Sequence, residues 1–260
     1  MTDALYVSDG DQFVSTSLTR GPWSPHSQHG GPPSALLIRA AEQLAGSHTM
    51  TARATIEILR PIPVSNLEVK AETIRPGRKV QLIRASLIAD GSEIARLTSL
   101  HLRRNDEFET PPALHDVAPP PPPTEGTNVD AFNLGYESFV NDALEVRYLG
   151  RPANEPGPSK GWTRLRVPLV AGEDPSPTQR VAVAADCGNG ISFEIPFDSH
   201  LFVNPDLTIY LHRPPVGEWV LIDSVTDLGP GVGLAQSALF DVDGPIGRSL
   251  QALYVDRRDT

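Results

Sequence analysis

The feature that most restricts what this chain can fold into is that it repeats itself. Arg60-Pro61 and Arg213-Pro214 lie 153 residues apart, and Asp90-Gly91 and Asp243-Gly244 lie at the same spacing. At that offset Thr55, Ile56, Thr73, Ala85, Leu97 and Leu100 also match Thr208, Ile209, Thr226, Ala238, Leu250 and Leu253. These are ten identities over residues 55–102, where ordinary composition would give roughly three by chance. Helix and turn types agree as well, so the match is more than hydrophobic periodicity and reads as an internal duplication. The helices align at a slightly different spacing. Arg39-Ala40-Ala41-Glu42 stands opposite Val183-Ala184-Ala185-Asp186, which puts a carboxylate at the same place in both copies.

Each copy carries one helix and then several alternating runs. Pro33 to Ala45 is rich in strong helix formers, with Pro at its start and Gly46 just past its end. Apolar residues fall on nearly every turn, so this helix is predicted to be largely buried. Strands are predicted at Thr51–Leu59, Leu67–Thr73, Lys79–Ala89 and Glu93–Arg103, with Asp90-Gly91 as a hairpin turn. In the second copy a small-residue helix over Thr178–Cys187 is predicted to end at Gly188-Asn189-Gly190. Strands follow at Asp206–His212, Glu218–Asp227, Val232–Val242 and Ile246–Arg257. The predicted class is α+β. A helix that is apolar nearly all round must be enclosed, and a curved antiparallel sheet wrapped around it would do so.

Between the copies, residues 104–130 contain Pro111-Pro112 and five consecutive prolines, Pro119 to Pro123. Such a run cannot continue a helix or a sheet ladder and stiffens into polyproline II, which predicts an ordered or semi-rigid crossover. The formal net charge of -10 argues against nonspecific nucleic-acid binding, which needs clustered cations. A small anionic ligand held by a few arginines is still compatible with it. The single cysteine, Cys187, excludes an intrachain disulfide and fits a reducing compartment. Met1-Thr2-Asp3-Ala4 carries no basic n-region or apolar h-region, and no stretch reaches the roughly 20 apolar residues of a membrane span. The expectation is therefore a cytoplasmic protein.

Several residues are candidates for chemistry. No Gly-x-Ser-x-Gly elbow occurs, and no two of the seven histidines pair at His-x-x-x-His spacing, so neither a serine hydrolase nor a metal centre is expected. Cys187 sits in an apolar stretch and reads as a buried structural thiol. Asp186 is the lone acid from Val181 to Asn189 and faces either solvent, as a capping residue, or a cavity. Asn204 reads either as an Asx-turn before Pro205 or as a polar group at a strand entrance. Gln251 lies opposite Leu250 on the last strand and is either surface or site. His29-Gly30-Gly31 precedes the first helix, where glycines allow close backbone approach and the helix N-terminus favours an anion. His29 itself reads as a surface residue or a supporting donor. His212 and Arg213 read as structural, and so does Arg60, because it is repeated.

Taken together, His29-Gly30-Gly31, Ala184-Ala185-Asp186, the stretch Asn204 to Pro214, Glu218-Trp219 and the Gln251 strand resemble the double-hotdog acyl-CoA thioesterases of the acyl-CoA thioesterase II type. The resemblance implies two hotdog repeats, at residues 1–103 and 131–260, joined by the Pro-rich linker 104–130. It implies hydrolysis of an acyl-CoA substrate to free acid and CoA by an activated water, with no cofactor. Asp186, Asn204 and Gln251 would form the water-holding triad, with Asn where the family usually has Thr or Ser. His29, Gly30 and Gly31 would bind substrate. The second pseudo-equivalent site would hold Glu42, Thr51 and Thr98 and would be inactive. Further pairing into a homo-oligomer is common in the family. Two other readings are an enoyl-CoA hydratase on the same fold, which would show an Asp followed closely by Asn-Pro and His, and a non-catalytic acyl-thioester or lipid-binding protein.

Overall fold

The computed structural model describes residues 4–105, 107–111, 118–129, 134–151 and 155–258. Met1-Thr2-Asp3, Pro112 and parts of the predicted crossover (106, 113–117 and 130) lie outside the described residues.

The first half runs β1 (Tyr6–Asp9), β2 (Gln12–Ser15), α1 (Gly31–Leu44), β3 (Thr49–Ile58), β4 (Asn66–Arg75), β5 (Val80–Ala89) and β6 (Ser92–Arg103). The second runs β7 (Thr127–Asn128), β8 (Leu144–Leu149), β9 (Ser159–Leu165), α2 (Pro177–Ala185), α3 (Gly188–Ile191), β10 (His200–Val203), β11 (Asp206–Leu211), β12 (Val220–Leu228), β13 (Val232–Asp241) and β14 (Gly244–Arg257). All named strands join one sheet, in the order β1-β2-β4-β5-β6-β3-β11-β14-β13-β12-β9-β8-β7, with β10 beside β14. Read outward from the β3–β11 junction, the two halves follow the same plan. Helix α1 then corresponds to α2, and each follows the outer pair of strands.

The junction is an antiparallel ladder from Asp206 opposite Glu57 to Tyr210 opposite Arg53. It places the matched residues Thr55 and Thr208 directly across from each other. Ile56, Leu207 and Ile209 point inward from it and are almost fully buried.

Helix α1 begins two residues before its predicted start. Pro32 and Pro33 occupy its first turn, where a missing N–H costs nothing. It buries Ala35, Leu36, Leu37, Ile38 and Ala41, as the apolar turns require. Arg39 emerges to meet Glu173 at 2.7 Å. Helix α2 starts at Pro177 behind Ser176, whose hydroxyl accepts the Gln179 N–H at 3.2 Å. It stops at Ala185, short of the predicted Cys187. Gly188-Asn189-Gly190, expected to terminate the helix, instead opens the short helix α3. Close packing explains the use of Gly188: a Cβ there would lie 2.7 Å from Ser237 Oγ and 3.0 Å from Gln251 Oε1. The break between the two helices leaves Asp186 at a helix end, at the junction of α1 and α2.

The described part of the Pro-rich segment packs against the second half. Trp162 Nε1 donates to Pro121 O at 2.8 Å, and Thr127–Asn128, expected in the crossover, pairs with β8. Arg213 fixes the β11–β12 corner. Its guanidinium donates to both oxygens of Asp241 at 2.5 and 2.6 Å, and that carboxylate is fully buried. Asp241 also accepts the backbone N–H groups of Val216 and Asp243 at 2.9 Å each. Removing one member of a buried pair leaves the other uncompensated. Asp241→Ala should therefore destabilise the fold by about 3 kcal/mol, read as a lowered urea midpoint with unchanged slope.

Candidate active site

Asp186 is 3% exposed and sits on the wall of a cavity of about 480 Å³. Three side chains from three separate parts of the chain converge on its carboxylate. Asn204, between β10 and β11, donates its amide to Oδ1 at 2.8 Å. Gln251 of β14 reaches the same Oδ1 at 3.4 Å and the Asp186 carbonyl at 3.3 Å. His29, just ahead of α1, places Nδ1 2.9 Å from Oδ2. Of the two readings the sequence left open for Asp186, the structure shows the one facing a cavity.

The other candidates fall into place around it. Gln251 is 1% exposed whereas Leu250 is 40% exposed, so the Gln side of β14 faces inward. Its Oε1 accepts the Asn189 N–H at 3.2 Å, which fixes which way the amide is turned. Asn204 also donates to the Asp206 carbonyl at 3.2 Å, so a local turn contact and the Asp186 contact coexist in one side chain. Gly30 lines the cavity, and a Cβ there would lie 2.8 and 2.9 Å from the two Asp186 oxygens. The space a side chain would take is the space the carboxylate occupies. Gly31 is placed differently from its neighbour. A Cβ there would meet Val183 O at 3.1 Å and Val183 Cα at 3.3 Å, so this glycine lets α1 approach α2 closely.

His29 is neither a surface residue nor a bystander. Burial works against its charged form, but the adjacent Asp186 carboxylate outweighs it, and the pKa is pushed up to about 10. The proton on Nδ1 then points at Asp186. Nδ1 also lies 3.1 Å from the Gly31 N–H, but a protonated nitrogen cannot accept that bond. The carboxylate contact is the one that holds the ring. The ring also packs on Phe139, with centroids 4.9 Å apart.

Two residues of the site escaped sequence reasoning. Asn189 is buried, bonds Gln251 through its backbone and the Phe202 carbonyl through its side chain, and faces the cavity. It was hidden inside a Gly-Asn-Gly run that looks like simple helix punctuation. Trp23 lines the cavity and packs against Phe197 at a tilt and Phe202 edge-on, at 5.0 and 5.1 Å, on a loop with no periodicity to mark it. Cys187 is buried, its Sγ 3.6 Å from Val183 O, and it also lines the cavity. At the pseudo-equivalent position, Glu42 accepts from Ser176 Oγ at 2.7 Å and from Gln179 Nε2 at 2.9 Å. That carboxylate closes the start of α2.

Comparison with known proteins gives the family. The family model of the acyl-CoA thioesterase N-terminal domain matches residues 19–102, and that of the C-terminal domain matches residues 111–255. The chain belongs to the acyl-CoA thioesterase family and is a thioester hydrolase. A search of curated proteins finds none that matches. Among solved structures, a candidate thioesterase II from Thermobifida fusca YX is similar over 97% of this chain and 95% of its own, with a TM-score of 0.74 and 19% identity. A hotdog-fold protein from Alicyclobacillus acidocaldarius matches with a TM-score of 0.73 at 16% identity, over 98% of this chain and 96% of its own. An acyl-CoA thioesterase II from Mycobacterium marinum gives 0.67 at 15%, over 96% and 95%. At these identities the likeness speaks for the fold, which is a hotdog fold. Among the described residues, no helix is long and apolar enough to cross a membrane.

The His29–Asp186 pair makes stability depend on pH in a defined direction. The folded pKa of about 10 lies above the ordinary value of 6.5, so the stabilisation is complete below about pH 6.5. It is lost as pH rises towards 10. Urea unfolding of wild type should weaken over that window, and His29→Gln should show a flatter profile. Parallel profiles would contradict the pairing.

Proposed function

We propose that Asp186 holds the water that cleaves an acyl-CoA thioester. The observation that carries this reading is the convergence of Asn204, Gln251 and His29 on one buried carboxylate at a cavity wall. With Asn204 and Gln251 occupying one side of Oδ1 and His29 bonded to Oδ2, the carboxylate cannot rotate. Its remaining lone pairs are aimed at a fixed place, which is what positioning a nucleophile requires. Water donates a hydrogen bond to Asp186 and attacks the thioester carbonyl. The new C–O bond forms, the C–S bond breaks, and the proton taken up by Asp186 passes to the departing sulfur. The products are the free acid and CoA thiol.

The other groups have matching tasks. Gly30 brings the start of α1 to the cavity, where the positive end of the helix favours a developing oxyanion. His29 keeps Asp186 oriented. Asn204 takes the place that Thr or Ser has in the resembled family, and its amide both donates and accepts, so it can fix the carboxylate and touch the water. Gly31 contributes through helix packing. Apolar side chains that include Ile62, Val140, Leu144, Ile191 and Val203 line the cavity and suit an acyl chain.

The matching strand order of the two halves supports a double hotdog, with repeats at residues 1–103 and 131–260. The pairing of Thr127–Asn128 with β8 suggests drawing the second boundary a few residues earlier. The site belongs to one pseudo-equivalent position only, because Glu42 is engaged with Ser176 and Gln179.

Thiol release from a panel of acyl-CoAs tests the assignment. Asp186→Asn should lower kcat on the order of 100-fold or more while the protein stays folded. Glu42→Gln should leave kcat at the wild-type level. Equal losses in both variants would contradict a single active site.

A further inference from the structure

The duplication exposes a difference between its halves that bears on substrate recognition. Arg213 and Arg60 occupy the same place in the two copies, 153 residues apart. Arg213 is held by buried Asp241 through two hydrogen bonds. At the same offset, the residue corresponding to Asp241 is Ile88. The first copy therefore has the arginine without that carboxylate. Among the described residues, the Arg60 guanidinium makes no ion pair or hydrogen bond, and it is exposed at the cavity rim. Arg60 thus lacks the partner that holds Arg213, and it lines the same cavity as Asp186.

The surroundings of the rim suit a phosphorylated nucleotide. The backbone around Arg60 is fixed, since the Leu59 and Arg60 N–H groups both donate to the Ile94 carbonyl, at 2.9 and 3.3 Å. Trp23, on the same cavity, already carries Phe197 and Phe202 against its ring and the Arg258 guanidinium 5.2 Å over it. In a chain of net charge -10, a guanidinium with no ion pair among the described residues stands apart at the cavity rim. A guanidinium offers planar, multiple donors to phosphate oxygens.

We propose that Arg60 binds a phosphate of the nucleotide end of coenzyme A, so that the rim selects CoA over carriers lacking that nucleotide. This rests on the thioesterase reading and adds to it a residue that recognises the CoA moiety. Arg60 is a specificity residue, remote from the bond that breaks. Its loss should weaken capture of the substrate and spare the chemical step.

The test compares two thioesters of one acyl group, the acyl-CoA and the acyl-N-acetylcysteamine, on wild type, Arg60→Ala, Arg60→Lys and Asp186→Asn. Arg60→Ala should raise KM for the acyl-CoA about tenfold, a loss of about 1.4 kcal/mol, with kcat unchanged. KM for the truncated thioester should not move. Arg60→Lys should recover part of the loss, and added salt should narrow the gap between wild type and Arg60→Ala. An unchanged KM for acyl-CoA in Arg60→Ala, or an equal rise for both thioesters, would overturn the assignment while leaving hydrolysis intact. Wild type inactive on both thioesters, or Asp186→Asn as active as wild type, would instead strike the hydrolytic reading, and an inactive wild type would take the carrier assignment down with it.

Discussion

A carboxyl group that is 3% exposed is costly to bury unless its oxygens are hydrogen-bonded. Asp186 meets this condition through groups that the fold must bring from far apart. His29 comes from the loop before α1, Asn204 from the start of β11, and Gln251 from the last strand. The site therefore exists only when α1 and α2 are packed together and β14 is seated beside β11. Gly30 and Gly31 make that packing possible, one by leaving room for the carboxylate and the other by leaving room for Val183. Fold and site thus depend on the same few contacts.

Much of this was legible in the sequence because it is carried by period and repetition. The apolar turns of α1 and the alternation of β3 to β6 correspond to real elements, with boundaries shifted by at most two residues. The strands named on either side of the β3–β11 junction join a single antiparallel sheet. The end of α2 was less legible. Gly188-Asn189-Gly190 has the composition of a terminator, yet Gly188 is there because Ser237 and Gln251 leave no space for a side chain. That is a long-range constraint, and no local pattern carries it. His29 was underrated for the same reason. A histidine beside two glycines looks exposed until the carboxylate from the other half is placed against it.

Duplication also shows how one residue type can diverge in role. Repetition of Arg60 and Arg213 suggested a shared structural task. The structure keeps that task for Arg213, which is locked on Asp241, and withdraws it from Arg60, whose counterpart partner is Ile88. The two helix-end carboxylates diverged in the same manner. Asp186 looks into the cavity, whereas Glu42 closes the first turn of α2. In each pair the matched residues meet different surroundings, so comparing the copies separates contacts that only one of them makes.

The central claim is that Asp186 positions water and does not itself attack the thioester. A single turnover in water enriched in oxygen-18, with enzyme in excess over acyl-CoA, tests this most directly. Direct attack by water puts the label into the released acid and leaves the enzyme unlabelled. Heavy oxygen recovered in the peptide that contains Asp186, with unlabelled acid released, would show that the carboxylate is the nucleophile and would contradict the account.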